Sequence, residues 1–223
     1  RVERTKQRPL ARGAIRPTSA LVLLIVLLSL SLAVVLSLDE ASRQLCLLLS
    51  IGALPAILLY PSAKRWFAYP QAVLAFCWGF AVLIPWAAAE RSLTLQPALI
   101  GCWLATLLWT FGFDTVYAMA DRRDDAVIGL NSSALSLGNR AVVTVRACYV
   151  LTVVALGVAA ASAGVHPLFW IFWLGASLLM QISCQSLNHR NATMASFGLH
   201  FRRQVQLGSL LLLGLIVSRG LSG

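Results

Sequence analysis

Of the 223 residues 59% are hydrophobic, and the formal net charge is +10. A soluble domain is only about 45–50% apolar, so the composition excludes an ordinary globular protein and points to a chain embedded in a membrane. The basic excess is divided among short connections between apolar runs, which suits topology and anionic lipid and excludes a nucleic-acid-binding face.

The chain opens on a basic segment, with Arg1, Arg4, Lys6, Arg8, Arg12 and Arg16 all within residues 1–17. Pro9 and Gly13 break this segment into turns. It leads into a full-length apolar run, so a cleavable signal peptide is not expected. Seven apolar segments follow, at 19–38, 44–60, 70–89, 98–119, 141–163, 167–187 and 205–219. Most have the length of about 17–23 residues that a helix needs to cross ~30 Å of hydrocarbon. Pro55 and Pro85 lie inside two of them and are tolerable there, because neighbouring helices re-satisfy the freed backbone groups. The runs are solidly apolar, without the alternation of barrel strands. The expected fold is an all-α, polytopic transmembrane bundle.

Charge alternates between successive connections. The N-terminal segment, the Lys64–Arg65 turn, the region around Arg122, Arg123, Arg140 and Arg146, and the loop with Arg190, Arg202 and Arg203 carry fifteen of the eighteen basic residues. The positive-inside rule places these connections in the cytoplasm. The setting is then a bacterial inner or plasma membrane, or an equivalent organelle membrane. Cys46, Cys77, Cys102, Cys148 and Cys184 fall singly in apolar runs, as packing residues without disulfide or zinc spacing. His166, His189 and His200 read as loop residues far apart, with no metal-ligand pattern. Nothing in the chain points to an obligate protein partner.

The most informative stretch is Asp114-Thr-Val-Tyr-Ala-Met-Ala-Asp121-Arg-Arg-Asp124-Asp125, four carboxylates at the end of an apolar run. Charge beside hydrocarbon is costly and is retained where something uses it. If the helix continues past 119, offsets of seven and four residues bring Asp114, Asp121 and Asp125 within about 40° of one another, at about 100° per residue. Such a stripe repels itself unless a cation sits on it. Mg²⁺ fits, being an oxygen-seeking ion held by one or two carboxylates plus substrate phosphates. The alternative is a solvated loop paired to Arg122 and Arg123. A second cluster, Tyr60-Pro-Ser-Ala-Lys64-Arg65, offers two cations and a phenol one turn earlier. It suits a diphosphate or carboxylate, or equally an interfacial anchor.

Together, RTKQRPLARG, YPSAKR followed by PQAVL, and DTVYAMADRRDDAVIGLNSSAL resemble the UbiA-type intramembrane aromatic prenyltransferases, above all the 4-hydroxybenzoate polyprenyltransferases. The likeness runs over nearly the whole chain and is weakest from 150 onward. It implies nine transmembrane helices around a lipid-open cavity, of which the seven runs here are the third to ninth. It also implies a first acidic motif, NDxxDxxxD, before the stretch matching Arg1 to Gly13; this chain lacks that motif and is expected to be inactive alone, as a fragment or a truncated product. The implied reaction is Mg²⁺-dependent transfer of a polyprenyl chain from its diphosphate to the 3-position of 4-hydroxybenzoate, in ubiquinone or plastoquinone biosynthesis. By the same resemblance Asp121 and Asp125 hold the metal and Asp114 supports the site. Lys64 and Arg65 meet diphosphate or acceptor carboxylate, Tyr60, Tyr117, Arg4 and Arg8 line the substrates, and Asn131 and Ser132 cap the next helix. Homogentisate, dihydroxynaphthoate, haem or chlorophyllide as acceptor stay open, as does a non-catalytic transporter or assembly subunit using the acidic stripe as an ion relay.

Overall fold

The computed structural model describes residues 7–187 and 194–222. Among these no strand occurs, and the helices run α1 Pro17–Leu36, α2 Glu40–Trp66, α3 Pro70–Glu90, α4 Pro97–Ala120, α5 Arg122–Ile128, α6 Ser133–Leu137, α7 Ala141–Ser162, α8 Phe169–Ser183 and α9 Met194–Ser222. Every apolar run of the sequence is occupied by a helix, all but one of them long. Three begin with proline (Pro17, Pro70, Pro97), where the missing N–H costs nothing. Asp39 caps α2 by accepting from the Ser42 backbone and hydroxyl. Those hydrogen bonds, hydroxyl first, hold the Asp39 carboxyl below its ordinary value. Asp39 also pairs with Arg91 at 3.4 Å, which joins two weakly charged connections at one end of the bundle.

Three boundaries differ from the hydropathy reading. Helix α2 runs six residues beyond position 60, through Pro61 to Trp66. The Lys64 carbonyl at its end accepts the Asn131 backbone N–H at 2.7 Å, and Lys64 and Arg65 complement the helix dipole. Helix α8 has only 15 residues, about 22 Å of rise; polar Ser183 turns its hydroxyl back onto the Met180 carbonyl where the apolar run was expected to continue. Helix α9 begins at Met194, well before 205. Its first turns look too polar for a span because they carry a buried polar network. Among the described residues six helices are long and apolar enough to cross a membrane, α8 being a shorter apolar one.

Helix α4 is the centre of the packing. It lies against α3 and α7, with α2 on α3 and α8 on α9. The α4–α7 approach depends on absent side chains: a Cβ at Gly101 would sit 2.6 Å from the Ala155 carbonyl oxygen, and one at Gly112 would sit 2.6 Å from the Tyr149 ring. Small residues replace hydrophobic contrast as the means of close contact in lipid. Val116, Val145, Tyr149, Ala176, Met180 and Leu207 form the apolar core. By contrast α1 buries no residue and turns its leucines outward, as a helix facing hydrocarbon does.

A polar network pins α9. The His200 Nε2 lies 2.9 Å from the Tyr149 hydroxyl and its Nδ1 3.2 Å from the Ser183 carbonyl. Gln204 donates to the Ser183 hydroxyl and accepts from the Trp109 indole. His200 is therefore not a loop residue as the sequence reading has it, but a helical side chain only 1% exposed. His189 lies outside the described residues. The five cysteines are free. Replacing Gly101 with leucine is expected to force α4 and α7 apart and to cost about 1–3 kcal/mol, read as a lowered melting temperature in detergent, while Gly175→Ala, on an open face, leaves the melting temperature near that of the parent.

Candidate functional site

The chemistry collects where the ends of α2 and α4 meet the start of α3. A cavity of about 250 Å³ is lined by Arg8, Tyr60, Lys64, Gln71, Asp114, Tyr117, Ala118, Asp121, Asp125 and Leu130. Tyr60 and Lys64 are four residues apart on α2 and so share a face. Asp114, Tyr117, Ala118 and Asp121 recur at helical spacing along α4. The helix does not run unbroken through the acidic stretch, as the stripe assumed. It ends at Ala120, Asp121 forms a one-residue joint (φ −94°, ψ 2°), and α5 resumes at Arg122. The joint keeps the Asp121 carbonyl bonded to the Asp125 N–H at 2.8 Å, so both carboxylates still reach the same cavity.

Asp125 is 1% exposed and Asp121 5%, which rules out the solvated-loop reading for this pair. Asp125 does not use the neighbouring arginines. Lys64 brings its Nζ to 3.0 Å from Oδ1 and 2.9 Å from Oδ2, an ion pair between α2 and α5. Buried charge of this kind is retained only when paired. Arg122 and Arg123 are exposed.

Five further bonds lock the rim. Helix α5 ends on Gly129 at φ +73°, a left-handed turn that a glycine takes without strain. The Leu130 N–H then bonds the Asp125 carbonyl and the Asn131 N–H the Lys64 carbonyl. Ser132 caps α6 by accepting the Leu135 N–H, as expected, whereas Asn131 joins α2 through its backbone. Ser136 donates to the Ala68 carbonyl at 2.6 Å, and the Ser133 N–H donates to Gln71 Oε1 at 2.7 Å.

Of the residues singled out from sequence, Tyr60, Lys64, Asp114, Tyr117, Asp121, Asp125 and Arg8 come together in this cavity. Arg65 does not: it is exposed, because the next position on a helix points about 100° away from Lys64. Arg4 lies outside the described residues. Gln71, Ala118 and Leu130 line the cavity and were not singled out. The only local signal for Gln71 is an amide in the first turn of a helix that follows a basic turn. Among the described residues no group of three or more His, Cys, Asp or Glu side chains is set up to hold a metal by itself; the cavity offers carboxylate oxygens and no soft ligand. A larger groove of about 500 Å³ between α8 and α9, lined by Leu179, Ile182, Arg203, Leu207 and Leu210 among others, has no carboxylate.

The chain is 39% identical over 216 residues to the 4-hydroxybenzoate solanesyltransferase of a Synechocystis strain, covering 97% of this chain and 72% of that one. It is 33% identical to the 4-hydroxybenzoate octaprenyltransferase of a Janthinobacterium strain, covering 84% of this chain but only 62% of the relative's length. In fold it matches the apo structure of a UbiA homolog from Aeropyrum pernix K1, with a TM-score of 0.72 at 24% identity, over 95% of this chain and 78% of that one. The model of the UbiA prenyltransferase family matches residues 1–203, and the chain, an integral membrane protein built of apolar helices, belongs to that family.

Proposed function

We propose that this chain transfers a polyprenyl group from its diphosphate to 4-hydroxybenzoate, binding the diphosphate in this cavity, which opens on the cytoplasmic side. One observation carries the reading: two buried carboxylates, Asp121 and Asp125, share a 250 Å³ cavity with the cations Lys64 and Arg8. Carboxylates alone would repel an anion and cations alone would need no carboxylates; the mixture suits an anion that arrives with a metal. An all-oxygen donor set fits Mg²⁺, and Asp121 and Asp125 are the residues that would hold it. When bound, the ion supplies Lewis-acid stabilisation to the leaving diphosphate.

The chain's own residues do the rest. The Lys64 ammonium neutralises Asp125 in the absence of substrate and is positioned to turn toward an incoming diphosphate, with Arg8 opposing charge at the mouth. As the allylic carbon–oxygen bond breaks, the electron pair leaves with diphosphate. The ring carbon ortho to the phenol forms the new carbon–carbon bond and gives up its proton, which we assign to Asp114, two turns deeper along α4. Tyr60 and Tyr117 hold the acceptor, and Leu130 and Ala118 help keep water from the cationic centre. The names of the relatives support 4-hydroxybenzoate as acceptor and a long polyprenyl donor.

Four outcomes test this on the product of the full coding sequence. Asp121→Asn or Asp125→Asn is expected to lower turnover of 4-hydroxybenzoate and a polyprenyl diphosphate by at least about 10²-fold, a loss of ~3 kcal/mol of transition-state stabilisation, and full turnover by either sinks the assignment. Chelation of divalent cations is expected to abolish transfer, with Mg²⁺ restoring it. Arg65→Ala is expected to change turnover less than about threefold, since a charge outside the cavity stabilises the transition state by under ~1 kcal/mol. Lys64→Met is expected to destabilise the fold by on the order of 3 kcal/mol by stranding Asp125, and Lys64→Met with Asp125→Asn to recover most of that in a thermal melt.

A further inference from the structure

Gln71 stands second in α3, directly after Pro70, and is 3% exposed. Its Oε1 accepts the Ser133 backbone N–H at 2.7 Å. A backbone N–H can only donate, so this bond fixes the orientation of the amide without ambiguity. The Nε2 group, with its two donors, is thereby turned away from α6. Gln71 also borders the cavity beside Lys64 and Asp125. Other buried polar groups of the bundle, such as Gln181 Nε2 and Trp86 Nε1, are sealed off without a partner. The Gln71 nitrogen is not among these sealed atoms, and the residue lines the cavity.

An amide held this way is an expensive thing to bury unless its second half is used. Its oxygen is committed to the start of α6, so what remains for a ligand is a neutral, rigid pair of N–H donors. The neighbouring cations Lys64 and Arg8 supply charge but have long flexible stems. A fixed neutral donor adds direction without adding charge.

We infer that Gln71 anchors the ligand of this cavity, donating from Nε2 to an anionic oxygen while Oε1 holds the amide in place through Ser133. The inference rests on the reading above that anionic substrates occupy the cavity. Two oxyanions are available under that reading, the diphosphate of the donor and the carboxylate of the acceptor, and the same donor chemistry serves either.

Two substitutions separate anchoring from a purely structural cap. Gln71→Glu keeps an oxygen for the Ser133 N–H and replaces the donor with a charged acceptor. Gln71→Met removes donor and cap together without adding charge. The full-length protein, in nanodiscs, is titrated with pyrophosphate plus Mg²⁺ and separately with 4-hydroxybenzoate, and KM and kcat are measured for both substrates. Gln71→Glu is expected to keep the parental melting temperature within about 2 °C, as a variant that retains the capping bond does, while weakening binding of one anion by at least about tenfold and raising the matching KM alike. Gln71→Met is expected to weaken binding of the same anion and also to melt lower. Whichever anion is weakened identifies the oxyanion at Nε2. Parental affinity for both anions in either variant overturns the inference, as does a parent that binds neither. A parent that binds both anions but transfers no prenyl group overturns the proposed reaction instead, and the binding arms still decide the role of Gln71.

Discussion

A carboxylate that is 1% exposed needs a partner, and the Lys64–Asp125 pair is what the rest of the site is built around. The pair joins residues 61 positions apart and draws the end of α2 onto α5. Once these ends meet, Tyr60 and Asp114 face the same space, and the segment after α5 is close enough to cap α2. A hydrophobic pair of similar size would hold the helices as well or better. The charged version is therefore better understood as a requirement of the chemistry than as a source of stability.

The surrounding hydrogen bonds show how such a site is kept in shape beside lipid. Asn131, Ser133 and Ser136 each bond to residues 64–71, so the connecting chain is fastened to the helix ends by bonds that each satisfy at least one backbone group. Neither lipid nor an apolar neighbour could satisfy those groups. The same bonds close the cavity wall on the side of Leu130. A connection that looks like a loop in the sequence is thus part of the cavity wall.

The spans were legible because hydropathy reports what faces lipid, and where a helix faces protein the signal fades. Helix α2 beyond Tyr60 and α9 before Val205 were missed for that reason: both stretches carry polar side chains whose partners lie on other helices. Asp114, Asp121, Asp125, Tyr60 and Lys64 were legible because helical spacing suggested shared faces and the family resemblance singled out the same residues. Arg65 was over-read, since adjacency in sequence is divergence on a helix. Gln71 was not legible as a cavity residue. Its meaning depends on Ser133, 62 positions away, and no pattern local to either residue announces the bond.

Helices α1 and α9 represent two ways of occupying a membrane. Helix α1 buries none of its side chains, whereas α9 is keyed to α4, α7 and α8 through His200 and Gln204. A one-residue shift would rotate α9 by about 100° and break every one of those bonds together, while the described outer faces of α1 would meet the same hydrocarbon after the same shift. The two helices should accordingly drift at different rates during evolution. The apolar face of α1 is free to exchange one aliphatic residue for another, whereas changes at His200 or Gln204 require a simultaneous answer from Tyr149, Ser183 or Trp109.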